Sequence, residues 1–470
     1  MTEPKIGDLF AVKLKRRDAY FTAQIVSVNM GLVALVLDGF TSAPLGLKEA
    51  AKLKPFYFDH HFWRRGEFYL GVDEILDAEP VFIGNAALIC EPPECVSLQS
   101  IEQIYMQLAW NELPKEIRAK FKSISKQKLE ISQPQSREFY ADLARKNPFC
   151  YEIKSKIWDE NLKDFLEATP IMTQLELNCA GKSLDISCTH LQQLVLHASG
   201  TEEITLNGSL WRLVINSDIA RLKSVRCPFD GELLSVQLEL SGGEFCIRGL
   251  EKLRDLRIFS QRGERIDLAC VAASFPNLRE IFINAQGGTL KNIDTLAKFE
   301  HLKDIWLSDV YGFERFPTRA QLPHLKRLCF WSVPKGACEA ARAQFKGIES
   351  LVIRQPRSKQ WLAANLNNPL RSWDGREGVG AATARKAMRA YVGAHKKLSA
   401  LEAESASDEL KTEKTEILKE FIAIFNAIDA KHSIDTMERE EIWEAFCKLA
   451  ELAAVDAKSQ ERIWEQNAEF

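Results

Sequence analysis

The stretch Phe299-Glu-His-Leu-Lys-Asp-Ile-Trp-Leu307 places apolar residues at 299, 302, 305 and 307, and the same spacing recurs in four other places. Those copies are Leu250/Leu253/Leu256/Ile258, Phe275/Leu278/Ile281/Ile283, Leu322/Leu325/Leu328/Phe330 and Phe345/Ile348/Leu351/Ile353. Taken in chain order, their first members are 25, 24, 23 and 23 residues apart. The closing apolar-x-apolar pair puts two side chains on one face of a short strand, because strands have a period of two. One copy cannot bury that face alone. The copies are therefore expected to stack as parallel strands into a solenoid with a shared core.

The phrase continues upstream in shorter form. Leu175/Leu177, Leu194/Leu196, Leu213/Ile215 and Val236/Leu238 keep the apolar-x-apolar pair at steps of 19, 19 and 23, which predicts about nine strands in all. Upstream connectors such as Ser183–Ser187 and Glu203–Leu206 read as extended, whereas Asp267–Phe275, Asn292–Phe299 and Gly336–Phe345 have the composition and spacing of short helices. Over roughly residues 170–356 the chain resembles the leucine-rich repeat family. That resemblance implies an asparagine ladder three residues beyond each strand pair. Here those positions hold Gln261, Gln286, Val310, Val333 and Pro356, so irregular coils are expected.

Residues 1–96 read differently. Phe10–Leu14, Tyr20–Val28 and Leu32–Leu37 are β-rich runs separated by Arg16-Arg17-Asp18 and Asn29-Met30-Gly31, and Pro80–Cys90 reads as a further strand. Short strands without intervening helices predict a small antiparallel sheet or barrel. The phrase Ile6-Gly-Asp-Leu-Phe-Ala-Val-Lys-Leu14, followed by a polar turn, Tyr20 and a Val/Ile strand, resembles the immunity protein 26 family of bacterial polymorphic-toxin systems. The resemblance implies a cytosolic protein that neutralises a toxin by binding it.

Residues 97–170 carry helical spacing, with Ile101, Ile104, Tyr105 and Leu108 on one face and Ser132–Ser136 as a linker. The stretch Tyr151–Leu166 is expected to cap the first solenoid strand, and Trp361–Leu366 the last. After the solenoid at 171–366, residues 367–470 are rich in Ala, Lys and Glu and read as a tail of about three helices. Asp435-Thr-Met-Glu438 has the form of a capping box before one of them. The expected fold class is α+β and multidomain: a small antiparallel β module, a leucine-rich-repeat solenoid and an all-α tail.

The balance of charge is slight, at −3, so no global field draws the chain to nucleic acid or membrane. No apolar run approaches the ~18 residues of a membrane span, and Met1–Asp8 lacks the apolar core of a signal peptide. The eleven cysteines are scattered singly, which reads as reduced thiols in a cytoplasmic protein. The sequence carries no P-loop, G-x-S-x-G, H-E-x-x-H or paired Gly-rich fingerprint. His60-His61 would face opposite ways on a strand, so a structural role is the simpler reading. Lys13-Leu-Lys-Arg-Arg17 suits an acidic partner or, more simply, a solvated strand end. Cys447 lies mid-helix in Glu444–Leu449, where a core thiol is the simpler reading than a catalytic one.

The outward positions of the repeats carry more information. Between the strand apolars stand Arg257, Phe282, Trp306, Cys329 and Val352; just after them Phe259, Asn284, Ser308, Trp331 and Arg354; just before them Asp255, Glu280, Asp304, Arg327 and Ser350. Aromatic residues on a wet face call for a cover, and Trp and Arg are enriched at binding hot spots. The candidate partner-binding residues are therefore Asp255, Arg257, Phe259, Glu280, Phe282, Asp304, Trp306, Arg327, Trp331 and Arg354. Either a partner or the helical tail would cover them. The acidic column of Asp255, Glu280 and Asp304 suits a basic partner such as a nuclease toxin. The expectation is a protein-binding immunity protein without catalysis, cofactor, metal, membrane or direct nucleic-acid partner. A scaffold with endogenous partners and an effector enzyme are the alternatives.

Overall fold

The computed structural model describes residues 3–29, 31–123, 128–146, 152–178, 181–197, 200–216, 219–241, 244–260, 263–401 and 408–470. The loop residue Met30, the ladder position Gln261, the predicted helix start at Tyr151 and part of Glu402–Lys414 lie outside them. The fold is mixed α/β, with a small antiparallel sheet, a large parallel sheet and a C-terminal helical region. Two compact units divide the chain: residues 1–240 with 244–257 and 274–276, and residues 258–273 and 277–470 with 241–243. Among the described residues no helix is long and apolar enough to cross a membrane.

In the first unit, a six-stranded sheet runs in the order Val81–Asn85, Asp8–Leu14, Ala19–Val28, Gly31–Thr41, Tyr69–Gly71, Leu98–Gln99. The first four pairings are antiparallel, with Val12 opposite Phe21 and Ile25 opposite Ala34. The order is open at both ends among the described residues, so the module is a sheet and not a closed barrel. Its central strands are buried on both faces. Phe10, Val12, Phe21 and Ile25 pack on one side with Ile104 of the helix Ile101–Glu112, and Leu9, Val26, Leu35 and Leu37 pack on the other with Ala50 and Tyr69. Burial on both sides explains why these strands read as nearly continuous apolar runs.

The parallel strands of this unit begin earlier than the repeat spacing predicts. Lys128–Ile131 pairs with Glu152–Ser155, which pairs with Gln174–Leu177, and the series continues through Gln193–Leu196, Arg212–Ile215 and Ser235–Leu240. One inward row is Leu129, Ile153, Leu175, Leu194, Leu213 and Val236. The predicted amphipathic stretch from 151 is therefore a strand followed by the helix Glu160–Ala168, whose start is capped by the Asp159 carboxylate accepting from the Leu162 N–H at 2.8 Å. The connectors Ser183–Asp185, Glu203–Thr205 and Ser224–Arg226 pair side by side into a second, three-stranded parallel sheet.

In the second unit, Glu280–Lys291, Asp304–Tyr311, Arg327–Trp331 and Ser350–Arg354 are parallel and in register. Ile281, Ile305, Leu328 and Leu351 form one inward row, and Ile283, Leu307, Phe330 and Ile353 the next. Leu351 and Ile353 are only half-buried because their strand is the last of the sheet. The connectors here are helical: Leu268–Ser274, the 3-10 turn Ile293–Lys298, and Lys335–Gln344. Where the resemblance implies an asparagine ladder, the chain instead turns through left-handed residues. Gln286, Asp309, Ser332 and Gln355 have φ of 45°, 48°, 56° and 51°, while Val310 and Val333 point into the core. The first strand also carries a register shift between Asn284 and Gly288, so the coils are not uniform.

The C-terminal region holds four helices among the described residues, not about three: Ala381–Leu401, Asp408–His432, Thr436–Leu452 and Ala457–Asn467. Phe421, Phe425, Ile442, Phe446 and Trp464 form their core, which also takes in Leu370 and Trp373 from the preceding 3-10 turn Pro369–Trp373. The capping box is in place. Asp435 Oδ1 accepts from the Glu438 N–H at 2.8 Å, and Glu438 Oε2 accepts from the Asp435 N–H at 3.1 Å.

Candidate functional site

Strand register sets the outward face of the second unit. Phe282 lies beside Trp306, Trp306 beside Cys329, and Cys329 beside Val352; Asn284, Ser308, Trp331 and Arg354 form the adjoining row. Three rings make a continuous line across strands, with Phe259 and Phe282 centroids 5.3 Å apart and Phe282 and Trp306 5.7 Å apart. Such spacing is that of interacting aromatic pairs. Trp306 is 42% exposed, a large apolar area for a side chain at the middle of a sheet. Trp331 is half-buried under the Arg354 guanidinium, 5.4 Å from its ring centroid.

The acidic column is less acidic than its sequence. Asp304 is ion-paired with Arg327 on the next strand, through a contact of 2.8 Å between Oδ2 and Nη2. In the first unit, Asp255 accepts from Ser235 Oγ at 2.6 Å and stands 4.0 Å from Arg257. Glu280 is exposed and in register with Asp304. In the second unit the face is therefore an aromatic line beside Glu280 and the ion-paired Asp304 and Arg327, a row of mixed charge rather than an anionic one.

Trp306, at the end of this line, stays exposed. The helical region is fastened at the C-terminal ends of the strands. Arg371 of the 3-10 turn donates to the Gln286 carbonyl and to Asp309 Oδ2, the latter at 2.8 Å. Tyr311 Oη donates to Asp309 Oδ1 at 2.7 Å, and Arg357 donates to Ser332 Oγ at 2.9 Å and Gln355 Oε1 at 2.7 Å. Arg357 also pairs with Asp374 and lies 3.9 Å from the Trp361 ring centroid. Gly287, at φ 95°, is required where it stands, because a Cβ there would run into the Arg371 guanidinium. Sequence reasoning missed this network, since no local pattern links residues 309 and 371.

The other candidates are absorbed by structure. Lys13 pairs with Asp18 at 2.9 Å, Lys15 with Glu232 at 2.5 Å, and Arg17 with Glu112, while Arg16 donates to the Leu210 and Leu233 carbonyls at 3.2 and 2.7 Å. The basic cluster thus ties the N-terminal sheet to the repeats inside the first unit. Cys447 is half-buried, and burial pushes its thiol pKa up, away from a reactive thiolate. Among the described residues no three His, Cys, Asp or Glu side chains gather as metal ligands.

His60 and His61 do not diverge as strand neighbours would. They sit in a turn, His61 at φ 52°, with their Nδ1 atoms 3.1 Å apart. Desolvation, first, lowers His60 to about 4 and His61 to about 3; the neighbouring Lys122 lowers both, and Asp59 opposes it at His60. Both rings are neutral in the folded protein at pH 7. The unfolded chain binds more protons between pH 6.5 and about 4, so stability is full above pH 7 and falls as pH drops through that window. For His60 alone the loss between pH 7 and 5 is about 2 kcal/mol. Urea unfolding at the two pH values should show it, and His60→Asn should flatten the dependence. Equal pH slopes for the two proteins would contradict the assignment.

Compared with known protein families, characterised proteins and solved structures, the chain finds no match.

Proposed function

We propose that this chain is a non-enzymatic protein-binding protein whose repeats form a leucine-rich-repeat solenoid. In its specific form, it is an immunity protein that neutralises a cognate bacterial toxin in the cytoplasm by stoichiometric occlusion. The observation that carries the binding reading is the line Phe259–Phe282–Trp306, with Trp306 open to solvent and the protein's own helices fastened elsewhere. The toxin reading rests on the resemblance of residues 6–28 to the immunity protein 26 family. A standard interface of roughly 1,600 Å² centred on these rings would cover a toxin's active surface. The ion-paired Asp304 and Arg327 would serve at the rim, where charge sets orientation and association rate more than affinity.

Trp306→Ala is the test. The substitution removes one aromatic pairing, a cost of about 1 kcal/mol, and should otherwise leave the fold intact. It should weaken binding to the toxin that co-purifies with the protein from its native host by about 2 kcal/mol, roughly 30-fold. Calorimetric titration reads the affinity and thermal unfolding the control. Unchanged affinity in a variant that still folds would exclude this face as the binding surface.

A further inference from the structure

We propose that this chain pairs with a second copy of itself through the free edge of the strand Ser350–Arg354. That strand ends the large parallel sheet, and among the described residues only Arg327–Trp331 pairs with it. The Ser350 N–H donates to the Lys326 carbonyl, and the Arg354 carbonyl accepts from the Ser332 N–H. Backbone groups alternate sides along a strand, so Ser350, Val352 and Arg354 point at the neighbouring strand. Leu351 and Ile353 point their N–H and C=O groups the other way, where no described residue meets them. Their side chains lie in the inward rows but are only half-buried, because no further strand follows.

Unpaired edges are normally guarded by charge, proline or a bulge. Lys128–Ile131, at the other end of the same strand order, carries the exposed Lys128 and Glu130. Val81–Asn85, at an edge of the smaller sheet, has a register shift against its neighbour. The segment Leu351-Val-Ile353 has none of these devices. It is uncharged, free of proline and in unbroken register with Arg327–Trp331.

Self-pairing selects one register. Around a two-fold axis the edges run antiparallel, and residues with free groups must oppose one another. An axis at Val352 sets Leu351 opposite Ile353 of the second copy, and Ile353 opposite its Leu351, so all the free N–H and C=O groups of both residues are used. An axis at Leu351 would leave Ile353 facing Glu349, and one at Ile353 would leave Leu351 facing Gln355, where the chain has already turned away at φ 51°. With the axis at Val352, Arg354 falls opposite Ser350 and Glu349 opposite Gln355, so no like charges meet. Opposite residues share a face, so Leu351 and Ile353 of each copy extend the inward rows of the other. Val352 meets Val352 on the outward face, in the row of Trp306 and Cys329. The pair therefore presents two aromatic lines on one surface.

Sedimentation equilibrium of the full chain from about 1 to 200 μM tests this, since a pairing this short lies below the ~1,200 Å² of stable interfaces and should dissociate at about 10 μM. The expected result is a reversible equilibrium between one chain and two. Val352→Lys and Val352→Glu each put two like charges at the axis and should weaken the dimer about tenfold, while an equimolar mixture of the two variants should associate about as tightly as the parent. Both substitutions fall on the outward face, and thermal unfolding shows that each variant is folded. A single chain's mass at every concentration, a dimer indifferent to both substitutions, or a mixture no tighter than either variant alone would overturn the proposal.

Discussion

Ile305→Asp should lower the stability of the second unit by about 4 kcal/mol or more, the largest single-residue effect expected in this chain. Ile305 is 2% exposed and sits in register between Ile281 and Leu328, both equally buried. A carboxylate there has no cation or donor within an apolar row. It must stay charged and unsolvated or take up a proton at a large pKa penalty, and both routes disfavour folding. Ile305→Val removes only a methylene and should cost about 1 kcal/mol, which separates charge from packing. A melting temperature for Ile305→Asp within about a degree of the parent would mean that the row is not a core.

The second large effect lies where the helical region is fastened. Asp309→Ala leaves Arg371, a side chain only 10% exposed, without its carboxylate while its backbone partner at Gln286 remains. Breaking a pair of this kind by removing one member costs about 3 kcal/mol, because the surviving charge stays desolvated. Removing both charges in Asp309→Ala/Arg371→Met should recover much of that loss, so the double-mutant cycle should be strongly non-additive. Hydrogen exchange in the turn Pro369–Trp373 would report the same event locally. Additive losses across the cycle would show that the two side chains do not act as a pair.

How much of this was readable from residues alone follows from where the physics is local. The repeats between 250 and 353 were legible because each strand buries one face and each connector returns after a nearly constant length. Once the strands are set, alternation fixes which residues face outward, so the rows through Trp306 and Trp331 were legible too. The strands Lys128–Ile131 and Glu152–Ser155 were not. Each is only four residues long and stands among helical stretches, and one inward row passes through Ser155, which is fully buried with its hydroxyl satisfied by the Ile157 carbonyl at 2.7 Å. An apolar template skips a serine in a core position. The pairing of Asp304 with Arg327 was hidden for another reason: the acidic reading stopped at Asp304, while the next member of the same column, Arg327, is its ion-pair partner. The contacts of Arg371 depend on tertiary neighbours, and no spacing in the chain marks them.

Capture without chemistry, the function proposed above, can be decided by a stoichiometric titration. The toxin that co-purifies from the native host is held well above its dissociation constant, and its activity is followed as the protein is added. Capture gives a linear fall to a sharp endpoint near one equivalent, a displaced curve for Trp306→Ala near the dissociation constant, and active toxin recovered after the complex is denatured and separated. Progressive inactivation of excess toxin by a small amount of protein, or a new covalent mass on the toxin, would contradict it.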